Sequence, residues 1–575
     1  MPPTLLWRLP LKQPSTQHWP TGLLLLAVAL PALAQTPPDA GRLLEQTRPP
    51  ALPTLPPATA PRVVDAPVRP TLTLPEGVSV QASSFRISGA RSYPAEGLAE
   101  MLKPWVGRRL DLNGLNEAAG ALTRHYQRNG HLLSYAYIPA QRVADGVIEI
   151  AVLEGQLEAV QIVTAQDVRL RDEVIQAHTD RLATRPEAPQ PVLLADVERQ
   201  MLLLNDIAGV TARAAFTPGA RTGGADMVVS VAEEEPLSLR VTADNHGAKS
   251  TGEVRVGLGL QLRNVSGWGD QTDARAMVSR QGGLVSGNLS TLVPVGGDGL
   301  RLGASLSRLS YELAGSFREL GATGHANTFG VELNYPLVRS ADTNLGLRMA
   351  GEFKQLRDEV QLVGRSVPKR NNTLEATLSA DHRDTWGGVS AGRISASLGS
   401  LRLLDDAQRA TDAAGLQTAR AYSKLGFQAL RQQTLSGPFS LALRVAGQAS
   451  GGNLDSSEKF SLAGPGAVRA YAPGEASVDQ GALINVEARY AQAYLGGSVT
   501  WALFHDRAEG RINRQPTALL LNGNEPRLSG TGLSVQWSGA DLGVSASIAW
   551  RGTRVPTAEG GDPKPRVYLQ VVLSP

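Results

Sequence analysis

The chain has no cysteine among its 575 residues. That absence removes a disulfide framework, a thiolate metal site and a cysteine nucleophile together. Neither sign of charge dominates: 56 lysines and arginines stand against 53 aspartates and glutamates, a net charge of +3. So small a surplus excludes a protein that grips nucleic acid through a global basic field. Long apolar runs are also missing. GLLLLAVAL, from Gly22 to Leu30, covers about nine residues, roughly half of the ~20 that a membrane-spanning helix needs, and no later stretch reaches that length. The eight histidines are scattered and no His-Glu-x-x-His occurs, so no zinc ligand set is in view. VGLGLQ (Val256–Gln261) has two glycines of a dinucleotide loop and no third, on an alternating strand. SADHRD (Ser379–Asp384) gathers carboxylates and a histidine but reads as polar strand ends and a turn. Neither an enzyme, a metal nor a cofactor is expected.

What is present divides the chain into segments. Residues 1–34 read as an export signal: Arg8 and Lys12 precede the apolar run, and ALA at Ala32–Ala34 fits a small-x-small cleavage site with Gln35 as the mature start. Residues 35–78 are rich in proline and form a linker. Within it, PDAGRLLEQTR (Pro38–Arg48) has the composition of about two helical turns, with Asp39 as the cap. Residues 79–155 and 156–235 each read strand, helix, helix, strand, strand, one β-α-α-β-β unit occurring twice. SVQASSFRISG, AEGLAEMLKPW, NGLNEAAGALTRHYQRNG and GVIEIAVLEG carry the first unit. LEAVQIVTA, DVRLRDEVIQAH, LADVERQMLLLND, TARAAFTPG and DMVVSVAEE carry the second.

From Pro236 onward the texture changes, and no further amphipathic helix is predicted. LSLRVTAD sets Leu237, Leu239, Val241 and Ala243 on one face against Ser238, Arg240, Thr242 and Asp244. EVRVGLGLQLR, INVEARY and LGVSASIAWR alternate likewise, with Trp501, Trp537 and Trp550 on apolar faces and full charges on polar ones. Segments of about ten residues, apolar on one side and wet on the other, joined by glycine-rich turns, are the pattern of a transmembrane β-barrel. A closed barrel is the sheet that leaves no backbone group unsatisfied in lipid. A soluble sandwich or β-helix shares the alternation, but residues 236–575 are too many for one sandwich.

Several stretches, taken in order, resemble one family, the outer-membrane transporters of two-partner secretion within the Omp85 superfamily. HYQRNGHLLSYAYIPAQRVADGVIEIAVLEGQL (His125–Leu157) is similar to its first POTRA domain, and LLLNDIAGVTARAAFTPG with GGADMVVSV to its second. DNHGAKSTGEVRVG, NVSGWGD, YPLVRS and DTWGG follow in the family's order. LAGPGAVRAY (Leu462–Tyr471) resembles the superfamily's Val-Arg-Gly-Tyr loop, here Val468, Arg469, Ala470 and Tyr471, with Ala470 in place of glycine. LFHDRAEG resembles the Phe-x-Asp-x-Gly strand motif, giving Phe504 and Asp506 but Ala508 where glycine is usual. The resemblance implies two α+β POTRA domains, a sixteen-stranded antiparallel transmembrane barrel at 236–575, and an Arg469 loop folded into the lumen onto Asp506. Parity supports that last point independently: Val499, Trp501 and Leu503 face outward, so Asp506 faces inward.

The family also implies a plug helix at 38–48 and export of an unfolded TpsA-type adhesin or haemolysin, captured at POTRA strand edges. Outer-membrane lipids and the barrel-assembly machinery are its other partners, and no nucleic acid is among them. The alternative reading is an assembly and insertion factor of the same superfamily, which generally carries more POTRA repeats. Such barrels usually end on an aromatic residue; here the chain closes on Pro575, leaving Tyr568 or internal signals for insertion.

Overall fold

The computed structural model describes residues 37–47, 63–64, 79–131, 133–182, 191–221, 223–517, 523–553 and 565–575. The predicted export signal and most of the proline-rich linker lie outside them. In the helix-capable island, α1 runs Ala40–Thr47. Asp39 caps it as expected, its Oδ1 accepting the Arg42 backbone N–H at 2.9 Å.

Both β-α-α-β-β units form, and with the same topology. In the first, strand Ser84–Ser88 pairs parallel with Val147–Leu153, which pairs antiparallel with Tyr135–Tyr137. In the second, Gln156–Thr164 pairs parallel with Gly224–Glu233, which pairs antiparallel with Val210–Pro218. The helices cover one face of each sheet: Leu112–Arg128 buries Leu115, Leu122 and Tyr126, and Leu194–Asn205 buries Val197, Met201 and Leu204. The alternating run SVQASSFRISG is not one strand. Val80–Gln81 pairs with Arg109–Leu110 in a separate ribbon, because Ser83 turns its N–H to Gly146 O at 2.7 Å and breaks the run. Val63–Val64 of the linker adds a short parallel strand beside Ala214–Ala215. Glu154 closes the first unit by accepting from Arg91 N, Ser92 N and the Tyr126 hydroxyl at 2.7–2.9 Å. Burial opposes its charge, yet these donors hold its carboxyl below the usual range.

From Leu237–Asp244 to Arg566–Leu573, sixteen antiparallel strands close into a barrel, as the resemblance implied. The last strand returns to the first through Val241–Asp244 paired with Leu573–Gln570. Alternation sets the two faces. Large apolar side chains stand on the outside with nothing over them, Ile394 64% and Leu398 65% exposed, which in water would be an unfavourable surface and in lipid is the favourable one. One helix that alternation did not predict, Asp406–Ala414, sits in a connection between strands, capped by Asp405 and with no buried residue.

The second unit docks on one end of the barrel through two stretches, NVSGWGD and YPLVRS, that carried the family resemblance. In NVSGWGD, Asn264 and Gly267 take positive φ, +47° and +82°. The Gly267 carbonyl accepts Arg171 N at 3.0 Å, and a Cβ there would sit 2.8 Å from Arg169 O. In YPLVRS, Pro336 has no N–H to give the ladder, and the register slips between Pro336 and Val338. Its carbonyl accepts Arg199 Nη2 at 3.0 Å, while Arg339 makes a forked pair with Asp206, both bonds 2.9 Å.

Candidate functional site

The connection between strands Phe439–Ser450 and Gln480–Tyr494 does not stand off the barrel; it folds into the lumen. Gly464 adopts φ +116°, a conformation that L side chains rarely reach, and turns the chain against Pro473. Val468 then donates its N–H back to Leu462 O at 3.1 Å, closing a compact hairpin-like tip. Val468, Ala470 and Tyr471 are fully buried, packed with Leu462, Phe504, Leu528 and Ala549.

At this tip the structure brings together all six residues singled out from the sequence. Asp506 points inward and is 0% exposed. Arg469 meets it as a fork, Nε to Oδ2 at 2.9 Å and Nη2 to Oδ1 at 2.7 Å, and the Arg469 backbone N–H adds 3.1 Å to Oδ2. The guanidinium lies over the Phe504 ring, 3.4 Å from its centroid. The Tyr471 hydroxyl bonds the Thr553 carbonyl at 2.8 Å. Planar fork, stacked face and backbone bond together specify one orientation, which a point charge such as lysine does not do.

Both departures from the family pattern have a physical accommodation. The Ala470 methyl fills space across from Gly530, where a Cβ would lie 2.6 Å from it. At Ala508 the strand runs on without a register break, paired with Leu483 and Leu528. The glycine that close packing demands is two residues further: at Gly510 a Cβ would stand 2.6 Å from Gln480 O and 3.0 Å from Val478.

Other residues around the tip were not expected there from the sequence. Glu487 accepts Arg469 Nη1 at 2.7 Å, and Asn485 links Asp506 to Ala467 O. Arg551 reaches Ala470 O and Glu475, and the Tyr568 hydroxyl reaches Tyr471 O at 2.7 Å. The signal for Glu487 and Asn485 was already present in INVEARY: with Ile484 and Val486 outward, both face the lumen. Tyr568 is likewise turned inward and buried, so it presents no ring to the barrel exterior.

Helix α1 lies in the same lumen. It buries Ala40, Leu43 and Leu44 against an inward-facing apolar patch, Leu284, Leu309, Tyr311, Ala326 and Leu356. These five interrupt the polar inner face, and α1 covers them. Its start is held by charge: Ala40 N donates to Asp358 at 2.7 Å, and Asp39 accepts from Ser456 at 2.6 Å and from Lys369 at 3.3 Å.

Comparison with known proteins follows the same lines. The family profile described as "Haemolysin secretion/activation protein ShlB/FhaC/HecB" matches residues 223–534, and that of the "POTRA domain, ShlB-type" matches residues 80–155. The heme/hemopexin transporter protein HuxB of Haemophilus influenzae is 26% identical over 459 residues, 79% of this chain and 80% of that protein. The outer membrane transporter CdiB of Escherichia coli is 28% identical over 195 residues, 34% of this chain and 32% of its own. The solved structure of CdiB from Escherichia coli has the same fold, with a TM-score of 0.69 at 20% identity, covering 91% of this chain and 94% of that one. The closed barrel, the POTRA unit at its N-terminal side and the profile match over more than half of the chain lead to one assignment: the chain belongs to the ShlB/FhaC/HecB family of haemolysin secretion/activation proteins, outer-membrane transporters of two-partner secretion with their POTRA region in the periplasm.

Proposed function

We propose that this chain conducts one large unfolded TpsA-type partner through a lumen whose shape is set by the Arg469 loop, with no covalent step and no nucleotide. The units at 79–155 and 156–235 act as two POTRA domains that catch the partner by strand addition, main-chain hydrogen bonds giving affinity and side-chain pockets selectivity. Among the described residues, the outer strands Ser84–Ser88, Tyr135–Tyr137 and Gln156–Thr164 each present an edge for this, whereas Val210–Pro218 is already paired with Val63–Val64. Helix α1 is the resting plug. The apolar exterior meets outer-membrane lipid, into which the barrel-assembly machinery inserts it.

The observation that carries this reading is the Arg469–Asp506 fork inside the barrel. A buried ion pair is a poor way to add stability, since desolvation offsets its attraction, but a good way to fix a position. The test is Arg469→Ala, with secreted partner in the culture medium normalised to barrel abundance in the outer membrane. Secretion should fall at least about tenfold while abundance holds, because the alternating strands still specify the barrel. Secretion at the wild-type level would return Arg469 to a passive loop charge.

A further inference from the structure

The lumen loop touches the barrel at a second place, eleven residues before Arg469. The turn Ser456–Glu458, capped by Asp455, carries Glu458 into the wall with its side chain 1% exposed. Its Oε1 accepts from Lys354 Nζ at 2.6 Å and from Asn371 Nδ2 at 2.7 Å, and its Oε2 lies 2.7 Å from Lys424 Nζ. Lys354 is itself 1% exposed and also pairs with Glu352 at 3.1 Å. Tyr422 braces the site through Asn371 at 2.9 Å and Thr373 at 2.8 Å. Next to it, Asp455 pairs with Lys369 at 2.8 Å, and Lys459 with Asp479 at 2.7 Å. Lys354, Lys369 and Lys424 come from strands Thr343–Val360, Arg365–Arg383 and Ala421–Thr434, a different sector of wall from the strand Gly497–Arg511 that holds Arg469.

Helix α1 stands on this turn. Asp39 shares Lys369 with Asp455 and accepts from Ser456. Gly41 comes so close that a Cβ on it would lie 2.7 Å from the Ser457 backbone nitrogen and 3.0 Å from the Ser457 Cβ. Any side chain at residue 41 therefore pushes helix and turn apart, against backbone that cannot give way. The partners of Glu458 named above include no residue of α1.

We infer that the Asp455–Glu458 turn is a second anchor of the lumen loop and at the same time the seat of the plug, with Glu458 its positioning residue. The loop is thus pinned at two points, by Arg469 at the tip and Glu458 at the foot. The helix borrows the foot through Asp39 and Gly41 and can leave without dismantling it. The plug half of this inference rests on the reading of α1 given above; the anchor half does not.

The cysteine-free full-length protein is tested with two readouts: single-channel conductance in planar bilayers, and trypsin cleavage after Lys459 in intact cells, mapped by mass spectrometry. Gly41→Val should raise conductance severalfold while Lys459 stays protected. Glu458→Gln should raise conductance and also speed cleavage after Lys459 at least tenfold, with the loop foot now free. Lys424→Met, which removes one partner at the edge of the cluster, should do the same to a smaller extent, and it serves where Glu458→Gln fails to insert. Lys459 protected as in wild type in both cluster variants would overturn the anchor. Conductance unchanged in Gly41→Val would overturn the plug reading and the seat with it, whatever the cleavage shows.

Discussion

Among the described residues, two pieces of chain occupy the lumen, and they are held in different ways. The loop tip is held by polar geometry: Arg469 has a forked carboxylate, a second carboxylate at 2.7 Å, an aromatic face and a backbone bond, with Asp506 and Phe504 buried and Arg469 itself only 13% exposed. Helix α1 is held by an apolar contact, with hydrogen bonds and an ion pair at its start. Burial of Leu43 and Leu44 contributes about 1.5–3 kcal/mol each. Ordering eight residues that are unstable as an isolated helix takes back much of that. The contrast is instructive about function. On the proposed reading of α1 as a plug, the part that stays is pinned by interactions that are costly to break singly, and the part that leaves is seated by interactions that a competing chain can replace.

The largest expected effect breaks the polar side of that contrast. Asp506→Ala leaves a buried guanidinium with only Glu487 opposite, a loss on the order of 3–5 kcal/mol in loop placement. Secretion should fall as far as in Arg469→Ala, and the double variant should be little worse than either single one, because the two act as one unit. Fully additive losses, read as partner in the medium per inserted barrel, would mean that the two residues work separately. Restoring the charge as lysine at 469 should recover only part of the activity, since the fork and the stacking are lost.

A smaller effect breaks the apolar side. Removing residues 38–48 deletes the cover of the inner apolar patch and should raise single-channel conductance severalfold without lowering barrel abundance. Conductance and gating indistinguishable from the intact chain would show that α1 does not obstruct the pore.

The smallest effect sharpens how closely the tip is fitted. Ala470→Gly should be nearly silent, within about 0.5 kcal/mol of barrel stability, read from the temperature at which the folded band is lost on semi-native gels. Gly530→Ala should lower that temperature by several degrees, since its new methyl meets the one on Ala470. Combined with Ala470→Gly, the same change should be largely rescued. A Gly530→Ala defect that persists in the combination would mean that the space is needed for something other than Ala470.

How much of this was legible beforehand follows from the range of each interaction. A period of two in side-chain direction is local, so the alternation alone placed Asp506 inward and Trp501 and Leu503 outward, and it delimited where the barrel begins. Asp39 announced the start of α1 because a cap acts within three residues. Repetition of the β-α-α-β-β order showed two similar units because each folds on its own neighbours. The single strand read in SVQASSFRISG was wrong because a distant backbone carbonyl, Gly146 O, competes for Ser83. Helix Asp406–Ala414 escaped because its apolar residues are all alanines and it buries nothing.

By itself, then, the sequence determined the wall: which residues face lipid and which face water, Asp506 among the latter; that Arg469 meets it inside came from the family resemblance. Only the tertiary structure decided what fills that wall. Glu458 with Lys354 and Lys424, Arg551 with Glu475, Gly530 against Ala470, and the inner patch under α1 are all pairings between residues dozens to hundreds of positions apart. No local periodicity encodes such pairs, because each depends on where the closed barrel and the infolded loop bring two distant side chains within a few ångströms.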